Sequence, residues 1–334
     1  MPPRKTFFER LKEDVRKKSV RDLMLIGMAA GLGLLLHLLA GDLSTWFLVK
    51  SPQLYALYCS SKLFRLLFEM CYSCFVVAGP FALVLLFYRK TGLYREPLPF
   101  SLHYDGSHPM LLIFAGLGLC YAGDILSSYF LQFCQSVGIG FSSYDALLEM
   151  QTDNPESVPM LILTVLHTAV VPALAEEFVF RGVIMQPLRK YGDWFAIVTS
   201  AVLFGLVHGN FVQIPFAIIA GVALGYVCTV TGSLWMSMAL HLLNNLLSVL
   251  YSMLLSTAKG AEQLIISSLF LYGMILIGIV SFLLYCRKKR SPFYLYGSRC
   301  DDFKGRAKFY FLMPSVAAAI ILLLRTAILD MKRL

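Results

Sequence analysis

The chain has 334 residues, of which 58% are hydrophobic and 15% are charged. This composition excludes a soluble globular protein and indicates an all-α, polytopic transmembrane helical bundle. The excess of 29 Lys and Arg over 20 Asp and Glu would suit a protein that binds an acidic polymer. No groove-reading motif accompanies that charge, so we expect no nucleic-acid partner.

The first element is a basic arm, residues 1–21, which holds eight Lys and Arg. It is too long and too charged for the n-region of a cleaved signal peptide, and no small-residue cleavage site follows the first apolar run. We therefore expect that run to remain as a membrane-spanning helix. The arm is predicted to be either a helix on the cytoplasmic membrane surface or a solvated tail.

Apolar runs of about 20 residues, the length that crosses a hydrocarbon core of roughly 30 Å, follow along the rest of the chain. Eight of them predict spans, and the last run predicts a ninth; they begin near Leu23, Leu66, Met110, Val158, Trp194, Phe211, Leu234, Leu264 and Tyr310. We divide the chain into the arm (1–21), spans one to three (22–157), a core of spans four to seven (158–256) and the C-terminal spans (257–334).

Basic residues cluster in stretches that would share one side of the membrane. Residues 1–21, 89–95, 189–190 and 287–308 hold 21 of the 29 Lys and Arg. The loop 135–157 has none, and its acidic residues are Asp145, Glu149, Asp153 and Glu156. By the positive-inside rule, we expect a multi-pass protein of the cell membrane with a cytoplasmic N-terminus, in contact with anionic lipid at the densest basic clusters.

Isolated ionisable residues within the spans are candidates for a site, because charge is costly in the bilayer. Arg65 and Glu69 are four apart at the start of the second span, where an i,i+4 pair explains them. His37 and Asp124 are lone polar groups, which we expect to bond neighbouring helices rather than to carry chemistry.

The fourth span differs, because "ALAEEFVFRG" places two carboxylates and a guanidinium within six residues. Glu177 and Arg181 have i,i+4 spacing and can pair along one face, whereas Glu176 points about 100° away. One carboxylate is therefore left without a cation on its own helix. A group from another helix has to supply its partner.

Later spans offer such partners: His208 in "FGLVHGN", and His241 and Asn245 in "HLLNN", which share one helix face. Small residues between them allow helices to approach closely; these are Gly205, Gly209, Gly221, Gly225 and Gly232. We therefore predict a polar cavity within the bundle. The alternative is a buried network that only ties the helices together.

These side chains could hydrolyse an amide without a covalent intermediate. A carboxylate such as Glu176 can take a proton from water as a general base, a histidine can share that water, and a second histidine with an Asn can donate to an oxyanion. The signatures GxSxG and HExxH and a pair of mid-span aspartates are absent from the sequence. A zinc site of His208, His241 and a Glu is our second choice.

The order of these motifs resembles the CPBP family of intramembrane proteases, the CAAX-processing and bacteriocin-processing enzymes also called the abortive-infection family, which includes the prenyl-protein CAAX endopeptidases. The resemblance covers about residues 158–250. Its motifs are EExxxR at Glu176, Glu177 and Arg181, FxxxH at Phe204 and His208, and HxxxN at His241 and Asn245.

The resemblance implies a helical core around a conical cavity, in which Glu176 and His208 hold the attacking water. His241 and Asn245 would form the oxyanion hole, with Glu177 and Arg181 as a supporting pair. It also favours a mechanism without metal, so we expect no cofactor.

We therefore expect an intramembrane glutamic endopeptidase that acts on a peptide or membrane protein, either prenylated or a bacteriocin-like precursor. A non-catalytic scaffold or immunity protein of the same fold is the alternative. A proton-coupled transporter would also use intramembrane carboxylates, but no paired broken helices are evident.

Overall fold

The computed structural model describes residues 7–101, 108–142, 157–289, 291–295 and 303–333, with side chains omitted at 7–16 and 303–304. The acidic residues Asp145, Glu149, Asp153 and Glu156, most side chains of the basic arm and part of the loop 287–308 lie outside this description. Of the described residues, 85% are helical, and they form a polytopic helical bundle. The predicted fold class is confirmed.

Eleven helices are described, together with a short two-stranded antiparallel sheet. The helices are α1 Phe7–Lys50, α2 Pro52–Ser60, α3 Lys62–Thr91, α4 Pro109–Ser136, α5 Val158–Tyr191, α6 Asp193–Val207, α7 Gln213–Thr231, α8 Leu234–Thr257, α9 Ala261–Lys288, α10 Phe303–Phe311 and α11 Pro314–Leu329. Strand β1, Ile139–Phe141, pairs with β2, Met331–Arg333.

Local sequence explains several helix ends. Pro52, Pro109 and Pro314 each occupy a first turn, where the missing N–H costs nothing. Gly92 and Gly232 follow α3 and α7 in the left-handed conformation, with φ of 75° and 63°, which a residue with a Cβ rarely adopts.

Among the described residues, seven helices are long and apolar enough to cross a membrane, and eight if α10 and α11, bent by 75° at their junction, form one span. The run predicted to begin near Trp194 is the 15-residue α6. At 1.5 Å per residue it is about 22 Å long, shorter than the hydrocarbon core. The protein is a multi-pass membrane protein. Its number of spans, its orientation and the four-part division of the chain stay predictions.

Glycine contacts bring the helices close together. A Cβ on Gly118 of α4 would lie 2.5 Å from the Cα of Gly278 on α9, and a Cβ on Gly221 of α7 would lie 2.9 Å from the Cα of Ala201 on α6. The second contact brings α7 against α6, the helix that His208 directly follows.

Helix α5 contains two π-helical segments, Leu166–Val170 and Phe178–Met185. The second begins directly after Glu177, and π-turns are frequent at functional sites. Two of its carbonyl groups accept side-chain donors: Ser200 Oγ donates to Phe180 at 2.8 Å, and Gln186 Nε2 donates to Arg181 at 3.0 Å. These bonds hold the widened turn next to the two glutamates.

Candidate active site

The supporting pair Glu177 and Arg181 is completely buried. Arg181 Nη1 donates to Glu177 Oε1 at 2.7 Å, and Nη2 donates to the carbonyl of Gly221 on α7 at 3.2 Å. The guanidinium carbon also lies 4.5 Å from the centre of the Phe204 ring. The predicted i,i+4 pair is thus formed, and its arginine ties α5 to α6 and α7.

His241 lies between the two glutamates. Its Nδ1–H donates to Glu177 Oε1 at 3.0 Å, and its Nε2 lies 3.9 Å from Glu176 Oε2. The tautomer follows from the bond to the buried carboxylate, which can only accept when ionised. Glu177 therefore orients the imidazole so that Nε2 faces Glu176.

His208 caps the end of α6. Its Nδ1–H donates to the carbonyl of Phe204 at 2.8 Å, which leaves Nε2 free to accept a hydrogen bond. The Phe204 ring meets His208 edge-on at 4.9 Å between centres and meets His241 at 6.0 Å. Phe204 therefore packs between the two histidines and covers Arg181.

Asn245 is held by a carbonyl of α5. Its Nδ2 donates to Thr168 at 3.1 Å, while its Oδ1 accepts from Asn244 Nδ2 at 3.2 Å. In an α-helix the Thr168 carbonyl would accept from residue 172, but Pro172 has no N–H. Pro172 thereby leaves this carbonyl open to a side-chain donor. The second Nδ2 hydrogen of Asn245 remains for another acceptor.

One cavity brings together Glu176 from α5, His208 from the end of α6, and His241 and Asn245 from α8. Its other lining residues are Cys120, Phe204, Phe216, Ala220, Leu224, Leu240 and Asn244. The Glu176 side chain is 25% exposed, whereas that of Glu177 is fully buried. The two adjacent glutamates therefore face different surroundings, as their positions on the helix predict.

Residues 158–247 match the model of a family described as "Type II CAAX prenyl endopeptidase Rce1-like". The family resemblance predicted from the three motifs is confirmed. The Rce1-like segment, residues 158–247, contains all seven predicted site residues. A Bacillus subtilis (strain 168) relative named "Putative membrane peptidase YdiL" is 24% identical over 165 residues, 46% of this chain and 68% of the relative. No solved structure matches. The matches point to a membrane protease.

Sequence reasoning missed six residues that line the cavity, of which Cys120 and Asn244 are the two whose side chains are not hydrocarbon. Asn244 could have been found, because it lies three residues after His241 and so shares its helix face. Cys120 belongs to α4, outside the Rce1-like segment, and no local signal connects it with the site.

The isolated polar residues have different environments. His37 Nδ1–H donates to the carbonyl of Val76 on α3 at 3.0 Å, so its predicted role in joining helices is confirmed. Glu69 interacts with Arg65, as its spacing predicts, but it also accepts from Tyr58 and lies 2.9 Å from His167 Nε2. The i,i+4 pair is therefore only part of the surroundings of Glu69.

The described residues contain no group of three or more His, Cys, Asp and Glu side chains arranged to hold a metal ion. The second-choice zinc site of His208, His241 and a Glu therefore needs its own test.

Proposed function

We propose that this protein is an intramembrane endopeptidase that hydrolyses a peptide bond with water activated by Glu176. The observation that carries the proposal is the shared cavity of Glu176, His208, His241 and Asn245. Arg181 and His241 both donate hydrogen bonds to Glu177. Glu176 is therefore the carboxylate of this motif that can act on a bound water molecule.

In the first step, a water molecule binds between Glu176 and the free Nε2 of His208. Glu176 takes one proton from this water, and the water oxygen attacks the carbonyl carbon of the substrate. This is general base catalysis by a carboxylate at a cavity wall. No covalent bond to the enzyme is formed.

The oxyanion that develops on the substrate carbonyl needs hydrogen-bond donors. Asn245 has one amide hydrogen left after its bond to Thr168. His241 uses Nδ1–H for Glu177, so it donates from Nε2 only when doubly protonated. Glu176 faces that nitrogen across 3.9 Å and can pass on the proton that it took from water.

When the tetrahedral intermediate collapses, the bond between carbon and nitrogen breaks. The proton from the attacking water goes to the leaving amine, directly from Glu176 or through His241, and a carboxylic acid remains on the other product. The chain's own side chains perform every transfer. A metal is not needed for this sequence, and we propose that none is bound stoichiometrically.

The matched family's name includes the prenyl CAAX class, so we propose a prenylated C-terminal peptide as the first substrate to try. Phe216, Leu224 and Leu240 give the cavity an apolar wall suited to a lipid-modified or membrane-bound peptide. A bacteriocin-like precursor is the second substrate class. With the N-terminus in the cytoplasm, the basic ends of α3 and α5 lie on the cytoplasmic side.

The test uses purified full-length protein in lipid nanodiscs and a fluorescence-quenched peptide that ends in a farnesylated CAAX sequence. Wild type should cleave it, and Glu176→Gln should not. Glu262→Gln, which changes an exposed carboxylate on α9, is the matched control and should cleave at the wild-type rate. Equal cleavage by Glu176→Gln would contradict the glutamate mechanism. No cleavage by wild type would contradict the CAAX substrate class.

A further inference from the structure

A second polar cluster lies outside the cavity and joins three helices. Tyr58 of α2 donates its hydroxyl to Glu69 Oε1 of α3 at 2.6 Å, and His167 Nε2 of α5 lies 2.9 Å from Glu69 Oε2. The His167 and Glu69 side chains are only 18% and 25% exposed. Polar groups within membrane-spanning helices are costly, so this cluster needs an explanation.

The bond to Glu69 fixes the imidazole of His167. The other ring nitrogen, Nδ1, is buried and has no hydrogen-bond partner among the described residues. A neutral ring that donates from Nε2 leaves Nδ1 as an acceptor. Glu69 therefore provides the polar contact that holds this ring against α3.

His167 directly precedes Thr168, whose carbonyl accepts from Asn245. Both residues belong to the π-helical segment Leu166–Val170. The side chain of His167 contacts Glu69 on α3, while the backbone carbonyl of Thr168 accepts from Asn245 on α8. One turn of α5 therefore contacts α3 through His167 and binds the Asn245 side chain through the carbonyl of Thr168.

We propose that Glu69 and His167 are positioning residues, which set the orientation of Asn245 by fixing the turn that carries Thr168. The inference rests on the proposed function, in which Asn245 donates to the oxyanion. Pro172 has no N–H, so it cannot supply the backbone bond that the Thr168 carbonyl would accept in an α-helix. The contact with α3 supplies the restraint that the backbone does not.

The test compares two substitutions of His167. His167→Phe keeps a planar ring but removes the donor, and we expect kcat for the farnesylated peptide to fall roughly 10- to 100-fold with KM little changed, because small misplacements of a catalytic group cost that much. His167→Gln can donate again from its amide and should recover most of the rate. Ser315→Ala, which removes a bond from α11 to the Met28 carbonyl, changes no residue that lines the cavity and should leave kcat unchanged.

A double-mutant cycle separates positioning from general destabilisation. If His167 acts through Asn245, adding His167→Phe to Asn245→Ala should lower kcat no further. Additive losses, or wild-type kcat in well-folded His167→Phe, would overturn the proposal. If His167→Phe leaves Glu69 Oε2 without its donor and folds poorly, Glu69→Gln with His167→Phe removes the charge, keeps an acceptor for Tyr58 and should preserve folding while kcat stays low.

The outcome for Glu176→Gln keeps the two proposals apart. An inactive Glu176→Gln with wild-type kcat in the folded His167 variants would reject only the positioning role. An active Glu176→Gln would reject the glutamate mechanism itself.

Discussion

Glu176 and Glu177 are neighbours in the chain but have opposite surroundings. Glu177 is fully buried and accepts from both Arg181 and His241, whereas Glu176 faces the cavity with a quarter of its side chain exposed. The positive charge of Arg181 balances the negative charge of Glu177, and Glu177 orients His241. Glu176 is left available to act on a bound molecule.

The first prediction concerns Glu176. Glu176→Gln keeps the side-chain volume but removes the basic carboxylate, so peptide cleavage should be lost while the bundle remains folded. Membrane level and thermal stability of the variant should match those of wild type. Retained biological function in well-expressed Glu176→Gln would instead favour a non-catalytic scaffold or immunity protein.

Arg181→Ala should lower stability as well as activity. It leaves Glu177 buried without its cation, which costs roughly 3–5 kcal/mol. We expect a lower melting temperature and a lower membrane level. In Arg181→Met combined with Glu177→Gln, both charges are gone, and most of the stability should return without activity. Normal stability of Arg181→Ala would show that the pair is not the structural tie that the contacts indicate.

Asn245→Ala should lower kcat by about 10²–10³, the loss seen when one oxyanion donor is removed. Its KM and melting temperature should change little. Asn244→Ala is the matched control, because Asn244 lines the same cavity and donates to Asn245 Oδ1. We expect a smaller loss there. Equal losses for the two variants would argue against a special role of Asn245.

The metal-free mechanism predicts that chelator-washed protein keeps its activity and carries less than stoichiometric metal. Elemental analysis and the peptide assay on the same sample provide the measurement. One zinc per chain that is lost together with activity, and regained together with it, would establish the zinc alternative.

The positive-inside pattern predicts a cytoplasmic N-terminus and a cytoplasmic loop at 287–308. Reporter fusions after Arg290 and after Gln151 should report the cytoplasm and the external side, respectively. The reverse result would invert the topology and place the basic ends of α3 and α5 outside.

Local sequence patterns are enough to predict the membrane class, the i,i+4 pair of Glu177 and Arg181, and the presence of three motifs on separate helices. These features depend on local spacing and on the cost of placing charge in a bilayer. The separation of Glu176 from its neighbour also follows from local geometry, because adjacent residues of a helix point about 100° apart.

The contacts between distant groups depend on how the helices pack against one another. His241 bonds to Glu177 across 64 positions and Asn245 bonds to Thr168 across 77, and no helical period encodes such separations. Pro172 explains why the Thr168 carbonyl can accept from a side chain. The local sequence does not indicate that the donor is Asn245. The bond between Glu69 and His167 likewise depends on the packing of α3 against α5, because spacing along one helix can identify only neighbours on that helix.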